Sequence, residues 1–119
     1  MNTFNLEALK IITMASGHLS LELSEKIDWE DFSRFASTFL EKVNGRALEK
    51  VETFDMHIWD VVINGVTLQL VWDDYPVMTS LEANCDAGDS LLKTIFESLK
   101  GLNNGLGTDP KKSVTVISP

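Results

Sequence analysis

Cysteine is almost missing from this chain of 119 residues: Cys85 stands alone, so no internal disulfide can form. A domain of this length buries a core without such staples. Histidine is scarce too, with only His18 and His57, and no Cys/His pair has zinc-site spacing. The chain has no G-x-G-x-x-G, no Walker sequence and no G-x-S-x-G, so no enzyme class can be named from a motif. Positive charge is the minority sign: 10 basic against 18 acidic residues gives a net charge of −8. Such a surface repels phosphate and disfavours direct nucleic-acid binding. It also serves solubility, which is the plainer reading. No apolar run approaches the ~20 residues that span a bilayer, which argues against a membrane partner. The first ten residues carry Glu7 and lack the basic start of a signal peptide. The expected setting is the reduced cytoplasm. Nothing repeats internally, and the length fits one domain.

What is present is periodic. Phe32, Phe35, Ala36, Phe39, Leu40 and Val43 recur at steps of three and four, which predicts a helix over 28–44. Asp28 is its expected N-cap, and Gly45 its left-handed C′ residue. Three phenylalanines on one stripe call for a broad partner, most simply a sheet. Asn64-Gly65 is the favoured pair for a two-residue type I′ hairpin turn. That turn sets Ile63 opposite Val66, Val61 opposite Leu68, Trp59 opposite Leu70 and His57 opposite Trp72, all on one face. The other face of the hairpin reads Val62, Asp60, Ile58, Thr67, Gln69 and Val71, mixed but with an apolar strip.

Leu19, Leu21 and Leu23 alternate with polar residues, a half-buried strand. Residues 6–14 fit either a short amphipathic helix or a strand. The β-branched Ile11, Ile12 and Thr13, followed by Ser16-Gly17, favour a hairpin with 19–23. Residues 46–54 read as a strand with a bulge, and 77–83 as another. A second helix is expected from the N-cap Asp86 to a stop at Gly101, with the stripe Leu91, Leu92, Ile95, Phe96 and Leu99. The fold class is therefore α+β: an antiparallel sheet of about five to six strands, in the order β-β-α-β-β-β-β-α, with two helices on one face. Residues 1–101 make the single domain. Residues 102–119 make a flexible C-terminal tail, in which Ser113 to Ser118 either adds an edge strand or frays.

The Asp28-Trp29 helix start, the Glu49-Lys50 strand, the Trp59 strand and the Asn-Gly hairpin ending in acidic and aromatic residues give a resemblance. From about Lys10 to Gly101 the chain resembles a small bacterial family classed only as a domain of unknown function. The resemblance implies an α+β fold and a bacterial source. It implies no activity and no catalytic residues.

The hairpin ends in Trp72-Asp73-Asp74-Tyr75-Pro76. With Asp55 and His57 these aspartates form an oxygen-rich set of the kind that holds a divalent cation. Neighbouring aspartates point to opposite faces of a strand, however, and Tyr75-Pro76 is ordinary turn chemistry, so a solvated strand end explains them more simply. His57 suits a pH-sensitive or general-base role near Asp55 or Asp74, but equally an edge-of-core ring stacked on Trp72. Cys85 precedes a helix N-terminus, which favours a thiolate, while Asp86 and Asp89 oppose one; a small buried hydrophobe is the simpler expectation. Trp29 and Tyr75 are the aromatics expected at the surface, where such residues anchor interfaces.

These features lead to an expected function: a non-enzymatic protein–protein interaction module with no cofactor. Its contact residues would be Ile58, Val62, Val71, Trp29 and Tyr75, and its partner another protein or a second copy in a homodimer. Two alternatives stand beside it. One is a small metal-dependent enzyme or ligand-binding protein using Asp55, His57, Asp73 and Asp74. The other is an acidic mimic of nucleic acid, against which the mixed charges Glu30, Asp31, Arg34, Glu41 and Lys42 on the first helix count.

Overall fold

A computed structural model describes residues 9–74 and 76–105, with side chains as far as residue 100. Six strands, β1 (Lys10–Thr13), β2 (Leu19–Ser24), β3 (Gly45–Glu52), β4 (Met56–Ile63), β5 (Val66–Asp74) and β6 (Val77–Glu82), form one sheet. Its spatial order is β1-β2-β6-β5-β4-β3, and every neighbouring pair is antiparallel. The helix α1 (Phe32–Val43) carries the chain from β2 to the far edge; a meander then returns it to pair β6 with β2. α2 (Asp86–Gly105) follows.

The hairpin register is the one the Asn-Gly turn dictates: Ile63 pairs with Val66, Val61 with Leu68, Trp59 with Leu70 and His57 with Trp72. Asn64 (φ 53°) and Gly65 (φ 78°) both take the left-handed region that a type I′ turn requires. The β1–β2 hairpin also forms, with Lys10 opposite Glu22 and Thr13 opposite Leu19. β3 carries its bulge between Ala47 and Glu49.

Both helices lie on one face. Leu21, Leu23, Trp59, Val61, Ile63, Leu68, Leu70 and Trp72 from that face join Phe32, Phe35 and Phe39 of α1 and Leu92, Ile95 and Leu99 of α2 in one core. Burying a side chain of this size is worth about 1.5–3 kcal/mol, so this single layer carries most of the stability.

Four local expectations are corrected. The first turn is a short 3-10 segment, Trp29–Asp31, closed by the Asp31 N–H donating to the Asp28 carbonyl at 3.0 Å; the Asp28 side chain caps nothing. At the other end of α1 it is Asn44, not Gly45, that takes the left-handed conformation (φ 58°, ψ 40°). Gly45 opens β3 instead, and what it supplies is the absence of a Cβ, which would sit 2.7 Å from Ile63 Cγ1. Cys85 is exposed rather than buried: it lies in the link between β6 and α2, where its carbonyl accepts from the Asp89 N–H at 3.0 Å. Finally, α2 runs on to Gly105. One interior glycine costs a helix only about 1 kcal/mol, and the docked stripe of α2 outweighs Gly101. Residues 102–105 are thus helical, and the rest of the expected tail, including 113–118, lies outside the described residues.

Candidate functional site

Three regions gather the polar and exposed side chains: the acidic end of the sheet, the junction between the β1–β2 turn and α2, and the sheet face that carries no helix.

At the acidic end, strand alternation separates the candidates. His57 points to the helix face and is only 1% exposed. Its ring stacks on Phe32 (centroids 4.6 Å apart), meets Trp29 at 4.5 Å and stands edge-on to Trp72 at 5.9 Å. A backbone carbonyl can only accept, so His57 Nε2 carries the hydrogen it shares with Trp29 O at 3.0 Å. Nδ1 has no hydrogen-bond partner and lies 3.4 Å from Glu52 Oε2. Trp72 donates its indole N–H to Ile27 O at 2.6 Å, and Trp29 donates to Thr53 O at 3.0 Å. Those three ring-to-backbone bonds pin the 27–29 segment over the end of the sheet. The imidazole is therefore sealed from any solute.

Asp73, opposite Met56 and Met78, faces away from the helices, while Asp74 ends β5 opposite Val77. Asp55 lies in the β3–β4 turn and accepts from Thr53 Oγ1 at 3.0 Å. The alternation thus puts His57 and Asp73 on opposite faces. Trp29 is half-buried, Phe54 is 92% exposed at the same end, and Tyr75 lies outside the described residues.

The second region escaped the sequence reading. His18, Asp86 and Asp89 bring ligand atoms within 4.8 Å of one another, the group among the described residues whose spacing suits a cation. Asp89 is fully engaged there: Oδ2 lies 2.8 Å from His18 Nδ1 and Oδ1 accepts the Leu19 N–H at 2.8 Å. The His18 hydrogen bond, then the Leu19 N–H, hold this carboxyl below its usual range. The arrangement works as a clasp between the β1–β2 turn and the first turn of α2. A cation would have to displace both bonds at the positive end of a helix dipole. The partners lie 71 residues apart, beyond any local pattern.

The third region is the helix-free face. Two rows cross all six strands there. One runs Lys10, Glu22, Ser80, Val71, Ile58, Val51; the next runs Ile12, Ser20, Glu82, Gln69, Asp60, Glu49. Val71 is only 7% exposed yet stands apart from the core cluster. Ile58 and Val62 are half-buried, and Val51 is 47% exposed. Lys10 pairs with Glu22 at 3.8 Å, and Gln69 donates to Asp60 at 3.0 Å. Burial, and then the nearby Asp73 carboxylate, push the Glu82 carboxyl above its usual range. Among the described residues no lysine or arginine pairs with Glu82, Asp60 or Glu49.

Fold and surface together define a small α+β domain, a fully antiparallel six-stranded sheet with both helices on one side. The chain belongs to the family described as "Protein of unknown function (DUF3630)", whose model matches residues 9–99. That match spans β1 to β6 and most of α2. No curated protein matches the chain, and no solved structure does. No helix among the described residues is long and apolar enough to cross a membrane.

Proposed function

We propose that this chain is a non-enzymatic protein–protein interaction module that works through the helix-free face of its sheet. One observation carries the reading: both helices pack on the opposite face, and no described element covers the apolar strip Val71, Ile58, Val51 and its neighbour Val62. A sheet face of this kind gains by burial against a second protein at about 25 cal/mol per Å². The reading places the module in the cytoplasm, where a free exposed cysteine such as Cys85 stays reduced.

Val62→Asp tests it. The side chain is half-buried and outside the core, so the variant keeps the wild-type circular dichroism spectrum and a melting temperature within a few degrees. Its loss of binding to a partner, or of self-association seen by light scattering, supports the reading. Complexes that form equally well with Val62→Asp and with Ile58→Asp would place the contact surface elsewhere and refute it.

A further inference from the structure

The helix-free face carries an excess of negative charge beside its apolar strip, Glu22, Glu49, Asp60, Asp73 and Glu82 against Lys10 and Arg46, and that asymmetry selects a partner. We infer that the face docks a cationic amphipathic helix of another protein, lying across the strands, with apolar side chains on Val71, Ile58 and Val51 and lysines or arginines on Glu82, Asp60 and Glu49. This rests on the reading of the face as an interaction surface.

The geometry supports a helix in that direction. Neighbouring strands are about 4.8 Å apart, so the apolar row on β5, β4 and β3 repeats at that spacing. A helix presents one face at steps of about 4.5–6 Å, from three or four residues at 1.5 Å each. The carboxylate row lies two residues along the strands, about 6.7 Å to the side. Both rows therefore fall under one helix, apolar stripe over the first and basic flank over the second.

Charge decides against a second copy. Two such faces laid together would bring an excess of carboxylates against carboxylates or against the apolar strip, and buried uncompensated charge is strongly disfavoured. The half-buried Glu82 already sits where its charge is disfavoured, and a guanidinium or ammonium would relieve it. Of the two basic side chains on this face, Lys10 is paired with Glu22 and Arg46 stands on the β3 edge opposite Val62, outside the carboxylate row.

The test uses the full chain and three synthetic helical peptides with one apolar leucine stripe and flanks of lysine, glutamine or glutamate. Binding is followed by titration calorimetry and by amide shifts. The lysine peptide is expected to bind, to weaken steeply as salt rises, and to shift amides of β4, β5 and β6. The double variant Glu82→Gln/Asp60→Asn is expected to lose about tenfold in affinity while melting no lower than wild type, which separates recognition from folding. Equal binding of the glutamine peptide would overturn the cationic selection and leave the interaction surface standing. Binding that maps to α1 or α2 would overturn both. So would the absence of binding by all three peptides in a chain that stays monomeric. Salt-resistant dimers broken by Val62→Asp would make a second copy the occupant and overturn this assignment alone. Binding that appears only after removal of residues 106–119 would give the face to the chain's own C-terminal segment, and also overturn it.

Discussion

The two faces of this sheet are made from the same strands, residue by residue in alternation, and they have opposite chemistry. Along β4, His57, Trp59, Val61 and Ile63 are buried under α1, while Ile58, Asp60 and Val62 on the other side are only half-buried. On the covered face polar groups are bound or enclosed: the Trp29 and Trp72 indole N–H groups reach backbone carbonyls, and the His57 ring is packed among three aromatics. On the bare face small serines, carboxylates and four aliphatic side chains share the same rows. The difference locates stability: the face under the helices holds the domain together, and the other contributes little to the core.

The largest break in that contrast comes from the covered face. Trp59→Ala removes an indole that is 2% exposed and packed edge-on to Phe32 at 5.5 Å, so it is expected to cost about 3–5 kcal/mol, read from denaturant midpoints. A substitution of comparable size at the bare Ile58 that cost as much would erase the distinction. Gly45→Ala comes next. Its added methyl meets Ile63 and Leu40 at 2.7 and 3.0 Å, and an overpacking loss of about 1–3 kcal/mol is expected.

Asp89→Asn probes the clasp that joins the β1–β2 turn to α2. The carboxyl is held below its usual range, so its stabilisation is present above the ordinary carboxylate range and is lost as pH falls through the lowered folded value. The variant should melt below wild type at pH 7, and the gap should begin to shrink at about pH 4 and close only below the lowered folded value. A gap that persisted in strong acid would show that charge has no part in the clasp.

The smallest effect has the opposite sign. Glu82 on the bare face has a raised pKa, so its contribution to stability is present in acid and lost as pH rises through the raised folded value. Glu82→Gln is therefore expected to raise the melting temperature at pH 7 by about 1–2 °C and to change nothing near pH 4. A destabilised variant at pH 7 would mean that the carboxylate is anchored in the fold rather than held in reserve on the surface.

Much of this architecture was legible from local pattern. Asn64-Gly65 specifies a turn, a turn specifies a register, and the register assigns His57, Trp59, Val61 and Ile63 to one face at once. The stripe of α1 and the bulge in β3 followed from periodicity. Less legible were features set by contacts far along the chain. Gly45 looked like a helix cap because Gly after a helix usually is one, yet the space it vacates belongs to Ile63, eighteen residues on. His18 and Asp89 share no local signal, and their meeting depends on where α2 enters over the sheet. At the acidic end Asp55, His57, Asp73 and Asp74 are close in register, but a solvated strand end is already the simpler reading from sequence. Strand alternation, which the sequence also displays, turns His57 and Asp73 to opposite sides. The acidic row on the bare face needed the pairing of β6 with β5, which brings Glu82 beside Gln69 and Asp60.

The placement of the tryptophans has a spectroscopic consequence. Trp29 and Trp72 flank His57, and Trp59 meets Phe32 beside it, so all three indoles emit from one aromatic cluster beneath α1. Intrinsic fluorescence then reports on that cluster, while far-ultraviolet dichroism also weighs the twenty residues of α2. In an unfolding titration, coincident curves from the two signals would mean that the α2 side and the α1 side melt as one cooperative unit. Dichroism lost ahead of fluorescence would reveal a species in which α2 has unravelled while the indole cluster is still folded.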